Sequence, residues 1–164
     1  GVQTCALPIS QGRGAIAVTL GTALTLTCVT RSGVVIGGAI APSPLLAARA
    51  LSVGTAALPE ITLFDESPEL PGPIGASTDA AIAAGILRGA RAALAALIEE
   101  SIHEMRERDP GAPPPAIVLA GGAATAGWSA GVHADAREAE LVLDAVLALD
   151  EMLAPSSREP EMQR

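Results

Sequence analysis

At 164 residues and 49% apolar composition, the chain is long enough to bury one sizeable core. Ten arginines, no lysine and 18 carboxylates give a net charge of −8, which argues against a nucleic-acid or anionic-membrane partner, since both need a basic patch. Phe64 and Trp128 are the only large rings, so Leu, Ile, Val and Ala must fill the core and the elements must pack closely.

AIAVTL (15–20) reads as a short buried strand, and Gly21-Thr22 as the turn after it. ALTLTCVT (23–30) alternates Leu with Thr, which is a strand period and not that of a spanning helix. Arg31-Ser32-Gly33 is a hairpin signal, and VVIGGAIA (34–41) follows as a third strand. The chain thus opens with an antiparallel meander. Residues 44–59 read as a helix with a loose end at Gly54, and 61–64 as a short strand or an extended loop. After an acidic, Pro-rich loop (65–77), Ser77 or Thr78 caps a helix to Arg108, with Ile82, Ile86, Ala90, Leu94, Leu97, Ile98, Ile102 and Met105 as its apolar stripe. AIVLAGG (116–122) is a strand ending in a glycine turn, 123–135 is irregular, and 136–153 has the period of an amphipathic helix. The expected fold is α/β, a mixed sheet with helices on its face.

Three short stretches hold candidate chemistry. Gly21-Thr22 is either a plain hairpin turn or a place where backbone N–H groups and a hydroxyl meet a phosphate. Gly121-Gly122, after a strand, is either punctuation or a nucleotide contact. Gly75-Ala76-Ser77-Thr78 is either a helix cap or a ligand contact. His103 is expected on a solvated helix face, His133 in a loop, Trp128 as a packing plug and Cys28 as a small core residue. Cys5 and Cys28 make no disulfide framework, no Cys/His metal cluster is visible, and the chain suits a reducing cytoplasm. Between Gly12 and Leu63 the only carboxylate is Glu60, although phosphoryl transfer needs acids to hold a cation and orient the nucleophile.

GTALTLTCVTRSGVVIGGAIAPSPLLAARALSVGTAALPEITL resembles the type III pantothenate kinases. Gly21, Thr22, Ala23 and Thr25 match that family's Asp-x-Gly-Thr-Ala-x-Thr turn. Gly37, Gly38, Ile40 and Pro42 match its Gly-Gly-x-Ile-x-Pro-Gly hairpin, and Thr55, Ala56, Leu58 and Pro59 its Thr-Ala-x-Leu-Pro segment. IGASTDAAIAAG, AIVLAGG and HADAREAELVLDAVLAL are similar to later family segments in the same order. The resemblance implies the C-terminal half of an actin-like ATPase, of the acetate kinase, sugar kinase and actin type with a ribonuclease H-like sheet. It implies ATP as phosphoryl donor to pantothenate at the first step of coenzyme A biosynthesis, with Mg²⁺, a monovalent cation (K⁺ or NH₄⁺) and a homodimer. Gly21, Thr22, Gly121 and Gly122 would then face ATP, and Thr78 pantothenate.

The departures bear on activity. The family's Asp-x-Gly-Asn loop and its Gly-x-Asp-Arg segment, which carries the base, are not among the 164 residues. Thr19 stands where the cation-binding Asp is expected, Thr27 where a second Asp is expected, and Ser43 where a Gly is expected. No catalytic residue or metal ligand is therefore assigned, and the chain alone is expected to be an inactive fragment or degenerate homologue; a non-catalytic binding relative or a dimerisation domain is the alternative. GVQTCALPIS (1–10) has no period and resembles one translated frame of a common sequencing adapter. Residues 1–11 are accordingly expected to be a non-native leader, 12–153 the domain and 154–164 a disordered polar tail.

Overall fold

The computed structural model describes residues 12–63 and 70–139. Five strands form one sheet in the order β3-β2-β1-β4-β5. They are β1 (Ala15–Leu20), β2 (Ala23–Val29), β3 (Val35–Pro42), β4 (Ala116–Ala120) and β5 (Ala136–Glu138). β1 pairs antiparallel with β2, and β2 with β3, so the expected meander is present. β1 and β4 run parallel, as do β4 and β5. A parallel return needs a long crossover, and two helices supply it: α1 (Pro44–Gly54) and α2 (Thr78–Arg108).

The Leu/Thr alternation sets the faces. Ile16 lies opposite Cys28, Val18 opposite Leu26, and Leu20 opposite Leu24. On the other side, Ile16 and Val18 meet Ile117 and Leu119. This continuous apolar face packs with Ile82, Ile86, Leu87, Leu94 and Ile98 of α2, and Leu94 is fully buried. Burying each such side chain contributes roughly 1.5–3 kcal/mol. The predicted stripe of α2 is the face that meets the core, with Ala90, Leu97, Ile102 and Met105 half-buried at its margin. By length and composition α2 could also cross a membrane; in this fold its buried residues belong to the core beside the sheet. Ala15, Ala17 and Val29 form a second buried cluster on the opposite face of the sheet.

Caps fix the helix ends. Ser43 Oγ accepts from Leu46 N at 3.2 Å and Ser77 Oγ accepts from Ala80 N at 3.2 Å, so Ser77 is the cap and Thr78 the first helical residue. Arg106 and Arg108 sit in the last turn of α2, where cations complement the helix dipole. α1 ends at Gly54, five residues before the predicted end. Thr55 turns extended and its hydroxyl donates to Leu51 O at 2.8 Å, closing the last turn. Residues 61–63 are extended loop, not strand. The hairpin at 31–33 forms as read, with Gly33 at φ 82°.

One expectation fails at its start. Residues 136–138 are strand β5, although the helical period begins at Ala136. Asp135 is the cause. Its carboxylate accepts from Ile117 N at 2.8 Å and its own N–H donates to Ile117 O at 2.8 Å, which lays the following residues along β4. Three edge residues held this way outweigh a local helical preference. The predicted helix beyond residue 139, the leader with Cys5, residues 64–69 and the tail lie outside the described residues.

Candidate functional site

The parallel pairing of β1 and β4 brings their C-terminal ends side by side. Gly21-Thr22 follows β1 and Gly121-Gly122 follows β4, so two turns far apart in sequence occupy one edge of the sheet. That edge, outside the carboxyl ends of parallel strands, is where α/β sheets gather ligand contacts. A backbone bond joins the turns, Ala123 N donating to Leu20 O at 3.3 Å, and Gly121 N ties the second turn to β5 by donating to Glu138 O at 3.3 Å.

The four glycine-turn residues are not equivalent. Gly121 has φ 91°, and a Cβ there would lie 2.8 Å from Leu20 O. Only glycine allows that approach, so the fold itself explains Gly121. Gly21 has no positive φ, and a Cβ there would meet nothing closer than Ala23 O at 4.0 Å; at Gly122 it would meet nothing within 4 Å. No packing demand explains these two glycines. Thr22 is exposed, and among the described residues the N–H groups of Thr22 and Gly122 donate no hydrogen bond. The turn itself closes on the Leu20–Leu24 pair, so three residues form it and not two.

Thr78 lies elsewhere, exposed at the N-terminus of α2. Among the described residues no hydrogen bond links it to either glycine turn. Gly75 packs against the backbone of Ala80 and Ala81, leaving no room for a side chain. Just beyond it, an apolar groove runs between α1 and the start of α2, lined by Leu46, Ala50, Leu51, Ala81, Ile82 and Gly85.

Beneath the glycine turns is a cavity of about 40 Å³ lined by Leu20, Gly21, Leu24, Ser43, Pro44, Leu45, Ala123 and Trp128. Trp128 is 4% exposed, so its ring does plug the core as read. The 123–132 segment that carries it is held by Arg137, a residue the sequence reading did not single out. Its guanidinium donates to Ala124 O at 2.7 Å, to Ser129 O at 3.2 Å and to Val132 O. The fully buried Ser129 adds a bond from its hydroxyl to Ala123 O at 2.7 Å. Neither residue belongs to a recognisable motif, and with 136–153 read as a helix no sequence signal pointed to either.

Other candidates fall away from this edge. Thr19 pairs with Thr25 and Ala120, and Thr27 with Ala17 and Gly38, so both stand on the sheet face opposite the main core. Neither offers a charge to a cation, and no group of three His, Cys, Asp or Glu gathers among the described residues. His103 is exposed and 3.4 Å from Glu107, as a solvated-face residue would be. His133 is exposed in the loop before β5. Cys28 is buried, and burial pushes its thiol up from its ordinary value, partly offset by a hydrogen bond with Ser101.

The family model of type III pantothenate kinase matches residues 3–100. A type III pantothenate kinase of Kosmotoga olearia is 39% identical over 99 residues, covering 60% of this chain and 36% of the relative. That of Janthinobacterium sp. (strain Marseille) is 39% identical over 109 residues, covering 66% of this chain and 39% of the relative. One from Synechococcus sp. is 39% identical over 114 residues, covering 70% of this chain and 42% of the relative. The chain thus spans well under half the length of these curated relatives. Among solved structures, a Campylobacter jejuni protein described as a conserved Baf family transcriptional activator superposes with TM-score 0.56 at 16% identity, over 93% of this chain and 64% of that one. At that identity the likeness speaks for the fold alone.

Proposed function

The chain belongs to the type III pantothenate kinase family, and from that premise we propose that it is the C-terminal, actin-like part of an ATP:pantothenate phosphotransferase acting at the entry to coenzyme A biosynthesis. The observation that carries the site reading is the meeting of the two glycine turns at one sheet edge, with the N–H groups of Thr22 and Gly122 unengaged among the described residues. Unpaired N–H groups and a free hydroxyl are what an oxyanion needs. Gly21, Thr22 and Gly122 then contact ATP phosphates directly. Gly121 contributes by letting β4 close on Leu20. The mixed sheet, a meander at one side and parallel strands with a helical crossover at the other, supports the actin-like assignment.

Thr78 is the proposed pantothenate contact. Its separation from the glycine turns is compatible with a homodimer, in which the apolar groove between α1 and α2 meets a second copy. The expected enzyme setting is the cytoplasm, with Mg²⁺ accompanying ATP.

A monovalent cation does not fit the residues present: Thr19 and Thr27 supply neutral hydroxyls where carboxylates are expected, and no step is routed through such an ion. No base is available in the 164 residues, because neither the Asp-x-Gly-Asn nor the Gly-x-Asp-Arg segment is among them. Positioning and charge stabilisation supply most of the acceleration of phosphoryl transfer. The chain by itself is therefore expected to bind ATP without turning over. Purified chain incubated with ATP, pantothenate, Mg²⁺ and K⁺ should yield no phosphopantothenate above background; product above background refutes this.

A second reading, a non-catalytic relative, is favoured by one observation. Thr19 and Thr27 share a sheet face and both replace an expected acid. Calorimetry separates the two: binding of both ATP and pantothenate by the chain alone supports a ligand-binding relative, and binding of ATP without pantothenate supports a part that takes its second substrate only with its upstream half.

A further inference from the structure

The cavity beneath the glycine turns contains an unexplained donor. Trp128 is 4% exposed, and its Nε1–H has no hydrogen-bond partner among the described residues. An unsatisfied buried N–H is costly, and native proteins rarely leave one unexplained. Trp128 lines the cavity, and so does Ser43, itself 4% exposed. The Ser43 oxygen already accepts from Leu46 N, while its own O–H donates to nothing among the described residues. Two buried side chains, each with a donor that meets no acceptor among the described residues, thus border one small space. The rest of its wall is the apolar side chains of Leu20, Leu24, Pro44, Leu45 and Ala123, with Gly21 at the rim.

We infer that this cavity is a binding site for a single oxygen acceptor, held by Trp128 Nε1–H and Ser43 Oγ–H directly under the Gly21-Thr22 turn. The size decides the class. About 40 Å³ exceeds the roughly 10–15 Å³ that one water requires, and falls far short of the roughly 300 Å³ at which small-molecule pockets begin. A nucleoside does not fit; one oxygen does. That oxygen is either a water or one oxygen of a phosphate seated at the turn. Either occupant satisfies both donors and braces the turn from below. The phosphate source rests on the contact proposed for Thr22, and the water source does not.

Trp128 is the only tryptophan, so its indole N–H gives one unmistakable resonance in a ¹H–¹⁵N spectrum of the full chain. Two arms distinguish the sources, with inorganic tripolyphosphate as the oxyanion probe. A cross-relaxation peak from Nε1–H to water, unchanged by the probe, assigns a bound water. A saturable downfield shift of Nε1–H that tracks the Gly21 and Thr22 amides assigns a phosphate oxygen. An Nε1–H with neither water contact nor response overturns the inference. If the Gly21 and Thr22 amides stay still while Nε1–H contacts water, the phosphate role of the turn fails and the acceptor site stands. Ser43→Ala, checked for wild-type far-UV circular dichroism, should move the Nε1–H resonance, whereas Ser43→Thr, which keeps cap and hydroxyl, should move it much less. An unmoved resonance in a folded Ser43→Ala protein overturns the shared occupant.

Discussion

Replacing Gly121 with alanine tests the geometry that brings the two turns together. At φ 91° an L-residue is strained, costing roughly 1–2 kcal/mol. The new Cβ would also sit 2.8 Å from Leu20 O and 3.1 Å from Leu20 C. Both atoms are backbone of the central strand, which cannot swing aside as a side chain could. Overpacking of this kind costs about 1–3 kcal/mol. Together the loss is ~2–5 kcal/mol, a large fraction of a domain's stability. With a urea dependence of about 2 kcal/mol per molar, the middle of the usual range, the unfolding midpoint should fall by about 1–2.5 M. Gly122→Ala is the internal control. It has no positive φ and open space at Cβ, so it should be neutral or gain up to about 1 kcal/mol by restricting the unfolded chain. Urea titration followed by far-UV circular dichroism measures both. If Gly121→Ala stays within about 0.5 kcal/mol of wild type, or Gly122→Ala loses as much, the account of the junction is wrong.

Further outcomes follow from the same structure. Leu94→Ala, at a fully buried position on α2, should cost about 2–5 kcal/mol, read from the same titration. Arg137→Met removes the charged donor shared by Ala124, Ser129 and Val132 carbonyls; hydrogen exchange should rise across 123–132 while α2 stays protected, and a uniform change would contradict the clamp. Gly38→Ala would push a Cβ onto the Leu26 carbonyl, so β3 should lose exchange protection and urea stability should drop. For Cys28, burial raises the thiol's pKa, so folding favours the neutral form. That stability is intact at neutral pH and is lost as pH rises past the unfolded thiol's range toward the folded one. Wild type should therefore lose more stability than Cys28→Ala between pH 7 and pH 10 (about 1.5 units either side of an ordinary thiol), and equal slopes would contradict the burial.

The meander was readable because Leu and Thr alternate from Ala23 to Val29, and a period of two with one buried face permits a single register. The limits of α2 were readable because Ser77 caps one end and Pro110 follows the other. β5 was hidden. Its three residues carry no strand pattern, and the force that places them is one carboxylate, Asp135, bonding to a strand eighteen residues upstream. The site was half legible. Its glycine turns could be picked out, but nothing local says that Gly121 serves the fold while Thr22 and Gly122 have backbone N–H groups that donate no hydrogen bond among the described residues. That distinction depends on Leu20 lying across from Gly121, a contact made by parallel pairing over about a hundred residues. Arg137 and the orphaned Trp128 N–H were invisible for the same reason, since their partners, or lack of them, exist only after the 123–132 segment has folded.

The most direct test of the account is a titration of the ¹⁵N-labelled chain with ATP. The amides of Gly21, Thr22 and Gly122 should shift together along one saturable curve, with the α2 amides after Ala90 unmoved. Shifts confined to other parts of the chain, or none at these three amides at saturating ATP, would contradict the claim that the paired glycine turns are a phosphate site.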